Sequence, residues 1–288
     1  MKSVMNLGKK VRLLIWMITL LLFAPCLLLP SAHAGEPPKR IISLAPNITE
    51  ILFYLGIGDR VMGVTSFCDY PEEAKKKPKV GGMSNPSLEA VIALKPDIVV
   101  MTVDGNPKEF EEKLRSLKIK TFVFRAKRLQ DFPQGVREMG AALGAGEKAD
   151  ALSREVEEAL VKFRAAGQPA KKKKVLYIVW PEPLIVAGPG SIADDALMIL
   201  GEKNISDDSR TSYPKYSIEE IIRRGPEVIF IGKGTGMEKV SEGLLRRLKT
   251  VPAVKNNKVF YVSDYLYRLT PRTIRGIEEL DRYLGRMD

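Results

Sequence analysis

Two segments of 14 residues, at 87–100 and 217–230, match each other without gaps at an offset of 130. Ser, Glu, Ile and Pro are identical at four positions, and five of the other ten positions exchange one aliphatic or acidic residue for another. Each segment has the pattern of an N-capped helix, a Pro-containing turn and a buried strand. The repeat predicts a chain that folds into two lobes of similar build.

Strand and helix patterns alternate in the rest of the chain. Apolar runs at 40–44, 118–124, 174–179 and 258–262 predict strands, and a helical pattern follows each of them. Asn47 with Glu50 three residues on, and Ser191 with Asp194, are expected to cap the helices that follow the first and third runs. This alternation predicts an α/β fold with a mainly parallel sheet flanked by helices in each lobe.

A helix without Pro or Gly is expected to join the lobes over 147–166. Its apolar residues recur at helical spacing and define one face, made of Ala151, Leu152, Val156, Ala159, Leu160 and Phe163. The predicted organisation is a leader at 1–34, an N-terminal lobe at 39–146, a linking segment at 147–168 and a C-terminal lobe at 169–288.

Residues 1–34 have the pattern of an export signal. Four basic residues precede or enter an apolar run over 13–29, which ends at the small-residue sequence Ala32-His33-Ala34. We expect cleavage after Ala34, with a retained membrane anchor as the alternative. Because the leader carries four basic residues and no acidic ones, its removal lowers the formal charge from +11 to +7.

Leader removal also takes away the only histidine, His33, and one of the two cysteines, Cys26. A Ser-His-Asp or Cys-His catalytic site needs an imidazole, and a typical exported zinc site needs His or clustered Cys ligands. Neither can be assembled from the mature chain. Cys68 has no disulfide partner and is expected to be a small buried hydrophobic residue.

Polar and aromatic residues cluster where predicted strands end. Ligands of open α/β sheets bind beyond the carboxyl ends of the strands, so these residues are expected to face one crevice between the lobes. Aromatic rings would supply contact area, and the charged groups would supply polar anchors. The candidates are Ser66, Phe67, Asp69, Tyr70, Trp180, Tyr213, Asp264, Tyr265 and Arg268. The alternative is that Phe67 and Trp180 belong to the core and that Asp264 and Arg268 form a local pair.

Glu89 and Glu219 occupy the same position in the two repeats, in the first turn of a predicted helix. A carboxylate there interacts favourably with the helix dipole, which is a sufficient structural explanation. One carboxylate on each lobe would also present two matched negative charges to a two-fold partner.

Three motifs resemble the periplasmic substrate-binding proteins of ABC importers for vitamin B12 and ferric siderophores. They are the sequences at 41–50 (IISLAPNITE), 63–71 (GVTSFCDYP) and 85–97 (NPSLEAVIALKPD), and the match extends over 39–288. The segment SFCDYP is most similar to the cobalamin branch. Gly81-Gly82-Met83 and Thr102 stand where cobalamin proteins carry aromatic residues, so another corrinoid, haem or a ferric siderophore remains open.

The resemblance implies two α/β lobes joined by one long helix, with the ligand in the cleft and small lobe movements. It implies that Phe67 and Tyr213 are cleft aromatics, and that Asp264 and Arg268 contact the corrin periphery. It also implies that Glu89 and Glu219 dock on arginines of the permease.

The predicted function is therefore a periplasmic, monomeric receptor that captures cobalamin or a related corrinoid in the cleft between the lobes and delivers it to an inner-membrane permease with its ATPase. A ferric siderophore or haem is the alternative ligand. No intrinsic cofactor, catalysis or nucleic-acid binding is expected. The alternatives from other classes are an exported α/β enzyme and an interaction protein whose cleft stays empty.

Overall fold

Two sheets, one from each half of the chain, form the frame of the protein in the computed structural model. The structure describes residues 36–166, 169, 171–233 and 237–285. The predicted leader at 1–34 and the end of the predicted linking segment at 167–168 lie outside these residues. Residues from Pro38 onward form one compact unit.

The N-terminal sheet has four strands, all parallel, in the order β2-β1-β3-β4. Its strands are β1 (Ile41–Ser43), β2 (Val61–Val64), β3 (Ile98–Thr102) and β4 (Lys120–Phe124). The helices of this half are α1 (Pro46–Tyr54), α2 (Glu72–Lys75), α3 (Leu88–Ala93), α4 (Lys108–Ser116) and α5 (Phe132–Leu143). Every residue of β1 and β3 is buried, which is the expected pattern for parallel strands covered on both faces.

The C-terminal sheet has the order β6-β5-β8-β9, and the short strand β7 pairs with the beginning of β5. Its strands are β5 (Lys174–Pro181), β6 (Leu184–Val186), β7 (Lys203–Asn204), β8 (Val228–Gly232) and β9 (Val259–Val262). The helices of this half are α7 (Ile192–Ile199), α8 (Ile218–Arg224), α9 (Met237–Arg247), α10 (Pro252–Lys255) and α11 (Thr273–Tyr283). Only β6 among the described strands pairs antiparallel, so the mainly parallel two-lobed α/β fold is confirmed.

The internal repeat is visible in the structure. Helix α3 with strand β3, and helix α8 with strand β8, follow each other at the offset of 130 residues. Ser87 and Ser217 both cap their helices by accepting a hydrogen bond from the backbone N–H three residues on. Strands β3 and β8 also hold equivalent places in their sheets. The two halves are therefore similar around the repeat and differ at the edge, where β2 is parallel and β6 antiparallel to its neighbour.

The long helix α6 (Gly146–Ala165) connects the halves. It buries Leu152, Val156, Leu160 and Phe163 as predicted, but Ala151 is exposed and Ser153 is fully buried instead. The Ser153 hydroxyl donates to the Pro133 carbonyl at 2.8 Å, which explains how a polar residue enters this face. Within the described part of the chain, no helix is long and apolar enough to cross a bilayer.

The first helix begins differently from the prediction. Its N-cap is Ala45, Pro46 occupies the first turn, and no side chain caps it, so the expected Asn47 cap is wrong. Glu50 pairs with an arginine of the other half instead. The capping predicted at Ser191 is confirmed, because the Ser191 hydroxyl accepts from the Asp194 N–H.

Candidate functional site

A cavity of about 690 Å³ lies between the two halves. Its walls come from the loops that follow the carboxyl ends of the strands in both sheets, as expected for an open α/β architecture. The lining residues are Pro46, Asn47, Phe67, Met83, Thr102, Asp104, Gly105, Ala126, Lys127, Gly190, Ile192, Ser212, Tyr213, Tyr267, Arg268 and Leu269. The cavity is therefore a candidate ligand site with both apolar and charged walls.

Two aromatic residues from opposite lobes line this cavity with much of their surface uncovered. Phe67 is 62% exposed and follows β2, whereas Tyr213 is 48% exposed and follows β7. Desolvation in the cleft raises the pKa of Tyr213, and the Asp104 carboxylate adds to this shift. Tyr213 therefore stays neutral at physiological pH and offers its ring and hydroxyl to a ligand.

A third aromatic residue, Tyr267, is held rigidly in the cavity wall. Its hydroxyl donates to the Val179 carbonyl at 3.0 Å, and burial raises its pKa to about 12. A Cβ atom on Gly232 would lie 2.0 Å from the Tyr267 hydroxyl, so only glycine at the end of β8 permits this ring position. The sequence prediction chose the neighbouring Tyr265 instead.

Charged groups in the cavity come from both lobes. Asp104 and Lys127 follow β3 and β4, and Arg268 follows β9. The Arg268 guanidinium also lies 3.8 Å from the Asp69 carboxylate, which belongs to the other lobe. The site thus combines apolar rings with a few separated charges, a composition typical of small-molecule pockets.

Of the nine residues predicted for ligand binding, the structure brings Phe67, Tyr213 and Arg268 together in the cavity wall. Ser66 is exposed, and its hydroxyl bonds to the Gly81 carbonyl. Trp180 is 47% exposed, lies outside the set of cavity-lining residues, and donates from its indole nitrogen to the Glu182 carbonyl at 2.7 Å.

Three other predicted residues lie around Arg272 rather than in the cavity. Tyr70 and Tyr265 place their rings 4.0 and 5.1 Å from the Arg272 guanidinium, measured to the ring centroids. Asp264 and Tyr265 line a small recess beside this arginine. Tyr70 lines a separate cavity of about 490 Å³. These contacts are cation–π and packing interactions at the junction of the lobes.

The residues that the sequence analysis missed have a common signal. Asp104 and Lys127 follow predicted strands in the same way as Phe67 follows β2, so the strand-end rule would have identified them. Asn106 had no such signal in the sequence, because it acts through hydrogen bonds to three backbone groups in separate parts of the chain.

Asn106 braces the N-terminal wall of the cavity. Its amide nitrogen donates to the Leu44 carbonyl at 2.9 Å and to the Met83 carbonyl at 2.8 Å. Its amide oxygen accepts from the Thr102 N–H at 2.8 Å. One side chain thus fixes the ends of β1 and β3 and the loop that carries Met83.

Replacing Asn106 by aspartate should lower the free energy of unfolding by about 1–3 kcal/mol, because a carboxylate cannot donate to the two carbonyls. Urea unfolding of the mature chain measures this loss. Asn85→Asp, at an exposed residue of a nearby loop, is the matched control and should leave stability within about 0.5 kcal/mol of wild type. Equal stabilities of the two variants would contradict the bracing role.

Two further ion pairs, both with buried carboxylates, cross between the lobes. Arg272 binds Glu50 in a bidentate pair at 2.6 and 2.8 Å, and Arg128 donates from its Nε to Asp195 at 2.5 Å. The second Asp195 oxygen accepts from the Leu129 N–H at 3.0 Å. Since both carboxylates are almost fully buried, each pair constrains the spacing of the lobes.

Glu89 and Glu219, the predicted docking residues, are exposed in the first turns of α3 and α8. Among the described residues, neither carboxylate forms an ion pair. Hydrogen bonds from its own backbone N–H and from Ser217 lower the pKa of Glu219. Both lobes therefore present an exposed carboxylate at equivalent places.

Cys68 is buried, as predicted, and its sulfur lies 3.1 Å from the hydroxyls of Thr49 and Thr65. Within the described ranges, no cluster of three or more His, Cys, Asp and Glu side chains is placed to hold a metal ion.

Comparisons with known proteins agree with this geometry. A model of the periplasmic binding protein family matches residues 41–266. The vitamin B12-binding protein of Vibrio parahaemolyticus is 30% identical over 261 residues, which cover 90% of this chain and 94% of that relative.

Two solved structures have the same fold. The periplasmic vitamin B12 binding protein BtuF of Vibrio cholerae superposes with a TM-score of 0.75 at 28% identity, over 86% of this chain and 97% of that one. The periplasmic heme-binding protein RhuT of Roseiflexus superposes with a TM-score of 0.76 at 27% identity, over 86% and 99% of the two chains.

Proposed function

The chain belongs to the periplasmic binding protein family, and we propose that it captures cobalamin or a related corrinoid between its lobes and delivers it to the permease of an ABC importer. The observation that carries the proposal is the cavity between the lobes, with Phe67 and Tyr213 on opposite walls. The vitamin B12-binding relative, which matches over 90% of this chain, supports the choice of ligand.

The cavity suits a large, flat ligand with a polar periphery. Apolar burial contributes about 25 cal/mol per Å², so a few hundred Å² against the rings would supply several kcal/mol before the costs of association. Lys127 and Arg268 would donate to the amide and phosphate oxygens at the periphery of a corrinoid, and Asp104 would accept from its amide nitrogens. The cobalt of such a ligand is cargo, and the proposal assigns the protein no cofactor of its own.

The proposal includes export, delivery and the absence of catalysis. The leader at 1–34 would direct the chain to the periplasm, where it would act as a monomer on small molecules rather than nucleic acid. Glu89 and Glu219 would meet basic residues of an inner-membrane permease, which works with its ATPase. The mature chain has no histidine and its described cysteine is buried, so an imidazole base and an accessible thiol nucleophile are both missing.

Haem is the second candidate, because the heme-binding protein RhuT superposes closely on this chain. Tyr213 offers a phenol oxygen in the cavity, but desolvation and Asp104 raise its pKa. To bind ferric iron as tyrosinate, Tyr213 would have to lose its hydroxyl proton, and the raised pKa opposes that loss. The raised pKa of Tyr213 is therefore more compatible with a ligand that brings its own axial groups, as cobalamin does.

Titration calorimetry of the mature protein with cyanocobalamin, haem and a ferric siderophore tests the proposal. We expect saturable binding of cyanocobalamin with a dissociation constant in the micromolar range or tighter. Tyr213→Ala should weaken that binding about 10-fold or more, because it removes an aromatic wall. Tyr54→Ala is the matched control, since Tyr54 is 49% exposed but lies outside the cavity.

If the protein binds haem or the siderophore but not cyanocobalamin, the proposed ligand is wrong and the proposed transport function remains. An equal loss of affinity in Tyr213→Ala and Tyr54→Ala would remove Tyr213 from the site.

A further inference from the structure

The four identical positions of the internal repeat divide into two kinds. The serine caps each helix, and the proline lies in the turn between helix and strand. These two identities have a structural reason, because both repeats need a helix start and a turn at the same place. The glutamates Glu89 and Glu219 interact favourably with the helix dipole, but the isoleucines Ile92 and Ile222 are exposed in both lobes, and neither the cap nor the turn requires them.

The isoleucines are not part of the core. Ile92 is 41% exposed and Ile222 is 43% exposed, whereas the preceding residues, Val91 and Ile221, are completely buried. A single exposed isoleucine needs no explanation. Two of them at equivalent positions, with nearly equal exposure, indicate a surface that both lobes share.

The spacing places each isoleucine beside the matched carboxylate. Residues three apart lie on the same face of a helix, so Glu89 adjoins Ile92 on α3 and Glu219 adjoins Ile222 on α8. The position after each isoleucine is not shared, since Ala93 corresponds to Arg223. Arg223 is neutralised within its own helix by Glu220 at 2.6 Å.

We propose that Ile92 and Ile222 are the apolar half of the docking surface to which the proposed function assigns Glu89 and Glu219, and that each isoleucine packs against an apolar patch beside a basic side chain on one subunit of a two-fold permease dimer. The inference rests on the proposed function and adds the apolar half of the contact. Equivalent places in two lobes that share the repeat suit two equivalent subunits.

The two parts of the contact have different physical roles. An exposed ion pair steers and orients the partner but adds little affinity, because solvent and salt screen it. Burying an isoleucine adds affinity that does not depend on screening. The isoleucines are therefore expected to provide most of the affinity, and the carboxylates its dependence on salt.

Binding of the mature, ligand-loaded protein to the organism's own permease–ATPase complex in lipid nanodiscs tests this division. The variants are Ile92→Ser, Ile222→Ser, both together, and the charge reversal Glu89→Arg with Glu219→Arg. Val161→Ser is the matched control, because Val161 is 62% exposed on the linking helix and lies outside the repeat. Each variant is measured at about 0.1 M and about 1 M salt, where the Debye length falls from about 10 Å to about 3 Å.

We expect each isoleucine variant to weaken binding about 10-fold, and the double variant about 100-fold, at both salt concentrations. The charge reversal should weaken binding mainly at low salt, and Val161→Ser should bind like wild type. Affinity of all variants for cyanocobalamin should remain unchanged.

If the double isoleucine variant binds the permease with wild-type affinity while the charge reversal loses affinity, the isoleucines have no part in the contact. The docking role of the carboxylates would then remain. Wild-type affinity of both sets of variants would overturn the docking surface, while corrinoid binding by calorimetry would still support the receptor function. If this chain forms a dimer and the isoleucine variants abolish it, the partner of the surface is a second copy of the chain and not the permease. That result would also overturn the proposal.

Discussion

Arg272→Ala should lower the free energy of unfolding by about 3–5 kcal/mol, because it leaves the Glu50 carboxylate buried without a partner. The Glu50 side chain is 3% exposed, and its two oxygens bind Arg272 at 2.6 and 2.8 Å. The Tyr70 ring, 4.0 Å from the guanidinium, would also lose a cation–π contact. Urea denaturation of the mature chain measures the loss.

A second bidentate pair provides the control. Arg137 binds Glu157 at 2.6 and 2.7 Å, but 31% and 46% of these side chains are exposed. Water can solvate Glu157 after Arg137→Ala, so that variant should lose about 1 kcal/mol or less. Equal losses in Arg137→Ala and Arg272→Ala would show that burial of Glu50 is not the source of the effect.

The replacement of both partners gives an internal check. Glu50→Leu combined with Arg272→Met removes the buried charge together with its counterion, so most of the loss should be recovered. If the double variant is as unstable as Arg272→Ala, packing at the lobe junction explains the loss better than the unpaired charge.

Asp195→Ala should lower the free energy of unfolding by about 2–3 kcal/mol and also weaken ligand binding. The variant removes the acceptor of the Arg128 guanidinium and of the Leu129 N–H, both of which belong to the other lobe. Lys127, in the cavity wall, directly precedes Arg128 in the chain, so the loss of this anchor frees part of the ligand site. Urea denaturation and cyanocobalamin calorimetry measure the two effects.

Asp131→Ala is the control for this second variant. Asp131 lies in the same segment, is exposed, and does not cap helix α5 with its side chain. Its replacement should change stability by no more than about 0.5 kcal/mol and leave ligand affinity intact. If Asp195→Ala is less stable but binds the ligand normally, the Arg128–Asp195 ion pair does not contribute to ligand binding.

Local patterns predicted the secondary structure well because the forces that shape it act over a few residues. Buried apolar runs and serine caps identified most strands and helices, and Ser191 caps its helix as expected. At Asn47 the local rule failed, because Pro46 already starts the helix and Glu50 finds a stronger partner elsewhere.

The location of the candidate cavity was predicted better than the residues that line it. The strand-end rule located the crevice, and Phe67, Tyr213 and Arg268 do line it. It could not distinguish Tyr265 from Tyr267, because their orientation depends on the short 3₁₀ turn Asp264–Leu266 and on the space above Gly232. The resemblance of the motifs to a family added a ligand class that no spacing of residues supplies.

The sequence by itself determined the two-lobed α/β plan, the helix between the lobes and the matched carboxylates of the repeat. These features follow from hydrophobic periodicity and capping, which depend on residues only a few positions apart in the sequence. Only the tertiary structure decided which side chains face the cavity and which carboxylate meets which arginine. Glu50 and Arg272 are 222 residues apart, and such a pair forms only after both lobes have folded and brought their buried charges together.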